Sequence, residues 1–311
     1  MTFLFFGNGC SDPVQITDVS GNQVNIVEYP CLSSADDCLN SMEIEGGNLQ
    51  LFSSFHLDSV SEIKGAIVTI HGHSRNSDDY FNKMTSIVSG QGLADQVMVI
   101  APTFITQYEQ SSDSDWYWNT TSWKWGLQSY LSSEGSSLST FKIIDFLLSK
   151  LSDKSRFPQL TDILVTGHSS GAAFIHMYSS TKNNNSYNNT NLHFSVVNNQ
   201  YFVHPDSTRL QANGSLIVPQ NCTAFNNWPY GYDALSPYME IIGKENSKNN
   251  FLSNKVDYFI AELDTETGGI SSGCQYEFLG SNRYEKNMNY KMFMDIAYPN
   301  HQHGFTTIPN L

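Results

Sequence analysis

The pentapeptide Gly167-His168-Ser169-Ser170-Gly171 constrains this chain more than any other feature of its sequence. It falls between a short β-branched apolar run, Ile163-Leu164-Val165-Thr166, and a helical run from Ala172 to Tyr178. A strand that enters a helix through Gly-x-Ser-x-Gly must turn sharply, and the glycines leave room where helix and strand cross. The serine then stands at the top of a sheet in a strained backbone conformation, costing on the order of 1–3 kcal/mol. Its hydroxyl is a candidate nucleophile. The N–H of Ser170, at the helix start, is a candidate donor to any oxyanion formed beside it.

The surroundings of this turn set the fold class. From about residue 60 onward, short apolar runs alternate with helical patterns, the signature of a parallel sheet covered on both faces. The runs 66–70, 97–101 and 163–166 read as central strands, followed by 194–197, 258–261 and 292–297. Helical spacing is expected over about 77–90, 138–151, 170–180 and 280–290, with Phe141, Ile144, Leu147, Leu148 and Leu151 on one face of the second. Residues 1–60 form an N-terminal segment with antiparallel edge strands, turning at Gly46-Gly47, and belong to the same domain as 61–311. Two stretches, about 104–135 and 199–250, exceed what a minimal sheet needs. Long irregular segments of this kind are usually lids or binding loops, here on the side where such sheets hold their sites.

Composition narrows the partners. The net charge of the 311 residues is −14, and no Lys/Arg cluster is present. A nucleic acid, an anionic membrane surface or an acidic polymer would need a basic face, so none is expected. Charged residues make up only 15%, below the roughly 25% of ordinary soluble domains. That leaves a Ser/Asn/Thr-rich surface of the kind seen outside the cytosol. Of five cysteines, Cys31 and Cys38 are close enough to staple a small loop, and Cys222 and Cys274 can bridge two long ones. Cys10, left over, ends an apolar stretch resembling the tail of a lipoprotein signal, so a lipid anchor there is entertained. The protein is expected to be a monomer outside the cytoplasm. No nucleotide loop, flavin or heme motif occurs, so no cofactor is expected.

A serine hydroxyl needs a base, and the base needs an acid to hold its tautomer. The chain order expected on such a sheet is serine, acid, histidine. Asp264, just past the run 258–261, is the first choice for the acid, with Glu262 and Asp206 behind it. His301 and His303, near the C-terminus, are the candidates for the base. Strand 66–70 runs into His71-Gly72-His73. The N–H of His73 is the expected second oxyanion donor, worth roughly 2.7–4 kcal/mol in the transition state. Arg75 is expected to order this loop. A zinc site built from His71 and His73 with Asp78 or Asp79 is the weaker alternative, and no metal is expected.

Taken together, these points resemble a group of secreted or cell-envelope α/β-hydrolases. Members carry a His-Gly-x-x-Arg-Asn loop, here His71-Gly72 with Arg75-Asn76, and a Gly-His-Ser-x-Gly elbow. Shared points run on through Ala101-Pro102, Cys222, Trp228-Pro229-Tyr230-Gly231, Leu263-Asp264-Thr265, Cys274 and Arg283. The resemblance implies the α/β-hydrolase fold and hydrolysis through Ser169, Asp264 and His303. In related hydrolases the last strand enters a Val-Pro-Gly-x-Gly-His-like turn, and Tyr298-Pro299-Asn300-His301-Gln302-His303 aligns with it without a gap. Both glycines of that turn are replaced, by Asn300 and Gln302, which keeps His301 in play.

Four of the five tryptophans, Trp116, Trp118, Trp123 and Trp125, fall within ten residues of the first long stretch. They are candidate substrate-binding residues, with a self-packed loop core as the alternative. The function expected is hydrolysis of neutral carboxylic esters through an acyl-enzyme. Amide or peptide cleavage on the same residues, or a non-catalytic binding protein on this scaffold, are the alternatives.

Overall fold

A computed structural model describes residues 30–36, 38–58, 62–130, 137–182, 187 and 190–310, with two two-residue strands, Ile16–Thr17 and Gln23–Val24, ahead of them. Cys10 lies outside the described residues.

Eight strands form one sheet: β1 (Leu39–Ile44), β2 (Gly47–Ser53), β3 (Gly65–Ile70), β4 (Val97–Pro102), β5 (Asp162–His168), β6 (Asn191–Val197), β7 (Val256–Ala261) and β8 (Gly304–Ile308). Their spatial order is β8-β7-β6-β5-β3-β4-β2-β1. From β4 to β8 all neighbours run parallel, while β2 lies antiparallel to both β1 and β4. The antiparallel N-terminal edge expected from sequence is therefore present. Its turn sits one residue early: Glu45 and Gly46 take φ of 49° and 85°, the pair of positive values that a two-residue hairpin turn demands. Gly47 belongs to β2, where an added Cβ would come within 2.6 Å of the Trp116 ring.

Helices cover the sheet: α1 (Ser77–Gly90), α2 (Thr140–Leu151), α3 (Ser170–Tyr178), α4 (Pro237–Ile242), α5 (Lys244–Ser253) and α6 (Arg283–Ala297). The α2 stripe Phe141, Ile144, Leu147, Leu148 and Leu151 is fully buried, and the hydroxyl of Ser139 caps the helix by accepting from the Phe141 N–H. α3 is buried along its whole length, as expected of a helix lying across the sheet centre with apolar residues all round.

One element differs in kind from the sequence expectation, with consequences for the site. Residues 292–297 are not a strand; they are the last turns of α6. Tyr290, Phe293 and Met294 are buried and Ala297 packs on the same core. That i, i+3, i+4, i+7 spacing is helical, and the helix begins nine residues upstream of 292, where Asn282 caps it by accepting from Glu285 N–H. The last strand is instead Gly304–Ile308.

Candidate active site

Ser169 sits between β5 and α3 with φ 58° and ψ −112°, values natural to glycine at the first central position of a type II′ turn. Its N–H donates to Val197 O at 3.1 Å and its carbonyl accepts from Ala173 N–H at 3.2 Å, so strand and helix grip it from both sides. The two glycines of the motif are required by contact. A Cβ on Gly171 would stand 2.3 Å from Ile70 O, and one on Gly167 would stand 2.5 Å from the Gly171 backbone. The helix thus approaches strands β3 and β5 closely enough to force the serine into its unusual angles.

The loop after β3 lies beside this elbow. His71 is buried; its Nε2 accepts from Phe104 N–H at 3.0 Å, so Nδ1 carries the proton and donates to Gly72 O at 2.9 Å. Burial pushes its pKa down to about 4. With both ring nitrogens committed to the backbone, His71 has no lone pair left for a metal. Arg75, at φ 57°, forms a two-pronged pair with Glu109 and donates from Nη1 to His73 O at 3.1 Å. Burial works against ionisation of Glu109, but the Arg75 and Thr106 hydrogen bonds prevail and hold its carboxyl at about 2. Arg75 therefore orders the His73 peptide, as expected.

His73, Ser169 and Ser170 line one cavity of about 500 Å³. The rest of its wall comes from loops: Thr121, Lys124 and Trp125 from the first long stretch, Gln200 and Tyr201 from the second, and Gly269, Ser271 and Tyr276 from the segment after β7, with Arg283 at the start of α6. The disulfide Cys222–Cys274 ties the second stretch to the Tyr276 segment, and Cys31–Cys38 closes the small N-terminal loop. Both pairings agree with the sequence expectation.

An eight-stranded sheet in this order, with a Gly-x-Ser-x-Gly turn after its fifth strand, can be compared with solved structures. A poly(3-hydroxybutyrate) depolymerase, LpqC from Bordetella parapertussis, superposes with a TM-score of 0.60 at 15% identity, over 88% of this chain and 84% of that one. Poly(aspartic acid) hydrolase-1 from Sphingomonas sp. KT-1 gives 0.59 at 14% identity, over 88% and 92%. The chain has the α/β-hydrolase fold. No family model and no curated protein matches it in sequence.

In the α/β-hydrolase fold the catalytic groups gather past the C-terminal ends of the strands. Asp264 is there. It follows β7 by three residues, and its Oδ1 meets Nη1 of Arg283 at 3.3 Å on the cavity wall. Glu262 is exposed, and Asp206 is occupied elsewhere by Thr208 and by the Tyr298 hydroxyl.

His303 is not there, because it precedes β8. Along the sheet His168 pairs with Val197, Val197 with Phe259 and Phe259 with Thr306. Ser169 lies one residue beyond that row and His303 three residues before it. The two are thus about 13 Å apart along the strands and about 14 Å across three strand spacings, against the ~3 Å a base requires. His303 is instead a core residue: its Nε2–H donates to Phe251 O at 2.7 Å, and its ring packs on Phe251 and Tyr258. His301 pairs with Asp295 at 3.2 Å on the same outer side. The error follows from reading 292–297 as the last strand. With β8 at Gly304–Ile308, the strand–proline step of the expected turn falls on Ile308-Pro309 rather than at Pro299. Among the described residues no histidine follows β8. The histidines near Ser169 are His73, which shares its cavity, and His168, whose Nδ1 lies 3.4 Å from the Tyr80 hydroxyl.

Three of the four tryptophans proposed for substrate are core residues. Trp116, Trp118 and Trp123 are at most 1% exposed. Trp116 and Trp118 donate to Ile44 O and Leu138 O, and Trp123 packs on the His71 ring. Only Trp125 reaches the cavity. What sequence reasoning missed is Lys124 between them. Its signal was visible: a lysine flanked by two tryptophans in a chain with few charges.

The burial of His71 and His303 carries a pH dependence. Both pKa values sit at about 4, against about 6.5 in the unfolded chain. Below about pH 6.5 the unfolded state takes up protons that these folded imidazoles refuse. Stability is full above that pH and falls as the pH drops towards 4, by on the order of 3 kcal/mol per group. Urea midpoints taken at about pH 7 and about pH 4.5 should show the fall, and His303→Gln should make it shallower. The same variant should keep the reactivity of Ser169; loss of that reactivity in a folded His303→Gln protein would return His303 to the site.

Proposed function

We propose that this protein is an extracytoplasmic serine hydrolase of carboxylic esters. The observation that carries the reading is the strained Ser169, held at the wall of a cavity it shares with His73 and Ser170. A backbone forced into such angles is retained where a side chain must be presented. In this reading Ser169 Oγ attacks the ester carbonyl and the N–H groups of His73 and Ser170 receive the oxyanion. The alcohol leaves, and water then releases the acid from the acyl-enzyme. Over the cycle the Ser169 proton ends on the departing alcohol, and Asp264, three residues past β7 and paired with Arg283, is the candidate acid. Two proteins of similar structure are named as a depolymerase of poly(3-hydroxybutyrate) and a hydrolase of poly(aspartic acid), which points to acyl-bond hydrolysis. The two disulfides favour an oxidising compartment.

The test is labelling with a fluorophosphonate probe followed by peptide mapping, alongside turnover of p-nitrophenyl esters. A single adduct on Ser169 is expected. Asp264→Asn should slow turnover while the fold is kept, because it unpairs Arg283 on the cavity wall. Labelling elsewhere, or an Asp264→Asn protein as fast as wild type, would overturn the assignment.

A further inference from the structure

Three cations surround the oxyanion loop, and two of them are matched. Arg75 is paired with Glu109, and Arg283 with Asp264. Lys124 is not: among the described residues no carboxylate meets its ammonium, although the residue is only 4% exposed. Its Nζ lies 4.6 Å from the centre of the Trp125 ring and 4.5 Å from that of Tyr201, and all three residues line the Ser169 cavity. Lysine is almost never buried without a partner. The two ring faces offset part of the lost hydration, yet burial still pushes its pKa down to about 8. The charge reaches the oxyanion loop, since Lys124 and Arg75 add to burial in lowering the pKa of His73. On the same wall Arg283 has a buried Nε without an acceptor. A cavity lined by an unmatched ammonium and a guanidinium with a spare N–H, and by no carboxylate of its own, is short of an anion.

We propose that Lys124 is the receptor for a carboxylate borne by the ester that Ser169 attacks, so that the substrates are esters carrying a free acid, such as half-esters of dicarboxylic acids. This deepens the reading above and rests on it for the position of the scissile bond. The negative net charge of the chain is no obstacle, because distant surface charges are screened within about 8 Å in physiological salt. A contact to the ammonium of a residue only 4% exposed is screened less. The ester group itself is neutral, as expected from composition; the recognition element beside it is not.

The test uses the Ser169→Ala protein, which keeps the cavity and cannot turn substrate over, titrated calorimetrically with monomethyl succinate and with dimethyl succinate. The half-ester should bind about 10-fold or more tightly than the diester. Adding Lys124→Met should bring the ratio to about one, while Lys124→Arg should keep most of it because the charge remains. Equal affinities in Ser169→Ala, binding of neither ester, or a ratio that survives Lys124→Met would each overturn the proposal. Should Lys124→Met fail to fold by near-ultraviolet circular dichroism, Lys124→Gln takes its place, and the ratio in the unaltered cavity still decides. Fluorophosphonate labelling of the wild type is read separately. Its absence would sink the hydrolase reading without changing the binding ratio, so the two failures are distinguishable.

Discussion

Ser169→Ala should abolish fluorophosphonate labelling and reduce ester turnover by about 10⁵–10⁶-fold, the range seen when the nucleophile of a serine hydrolase is removed. What survives should come from the donors of His73 and Ser170 and from binding alone. The loss is chemical, not structural, because alanine inherits the same φ of 58°. Ser169→Gly should be equally inactive yet more stable than wild type, by about 1 kcal/mol, since glycine adopts these angles without penalty. Chemical denaturation of the three proteins checks this. A Ser169→Gly protein no more stable than Ser169→Ala would mean that the elbow stores no strain, and the argument that function maintains it would fall.

Gly171→Ala should be the most damaging single substitution in the elbow. Its Cβ would lie 2.3 Å from Ile70 O and 2.8 Å from His71 O, both backbone atoms in the centre of the sheet. Neither β3 nor α3 can retreat cheaply. Ile70 is fully buried, its strand is paired on both sides, and α3 is buried throughout. A loss of about 4 kcal/mol or more is expected, a large share of the 5–15 kcal/mol that holds a typical domain. Expression in soluble form with a thermal midpoint close to wild type would refute the close crossing of helix over strand. By contrast Gly90, where an added Cβ meets nothing within 4 Å, should accept alanine with little change.

The sequence was most informative where a local pattern and a long-range requirement coincide. β-Branched runs such as Ile163 to Thr166 are buried on both faces of a parallel sheet, and the alternation of strand and helix leaves few other arrangements. Gly167 and Gly171 carried the elbow, because only a tight helix–strand crossing needs both. The order of strand, serine and Asp264 then followed along the chain. Cys31 and Cys38 had few other partners within reach, and Cys222 and Cys274 mark the two loops that frame the cavity.

Where local pattern was ambiguous, the tertiary structure decided. Met292 to Ala297 is apolar enough for either a strand or the end of a helix, and only the packing of Tyr290, Phe293 and Met294 into one core resolved it. That six-residue segment moved the last strand past His303 and took the histidine out of the site. A tryptophan-rich loop likewise reads the same whether its rings face ligand or core, since the hydrophobic effect rewards burial in either place. Here three of the four rings face the core. The unmatched ammonium of Lys124 is likewise a tertiary fact. A sequence shows that a lysine is present, but only the arrangement of Glu109, Asp264 and the surrounding rings shows that no carboxylate among the described residues meets it. The fold and the elbow at Ser169 were thus determined by spacing along the chain, which local sterics fix. The exclusion of His303 from the site and the charge of the cavity were decided by which distant segments meet.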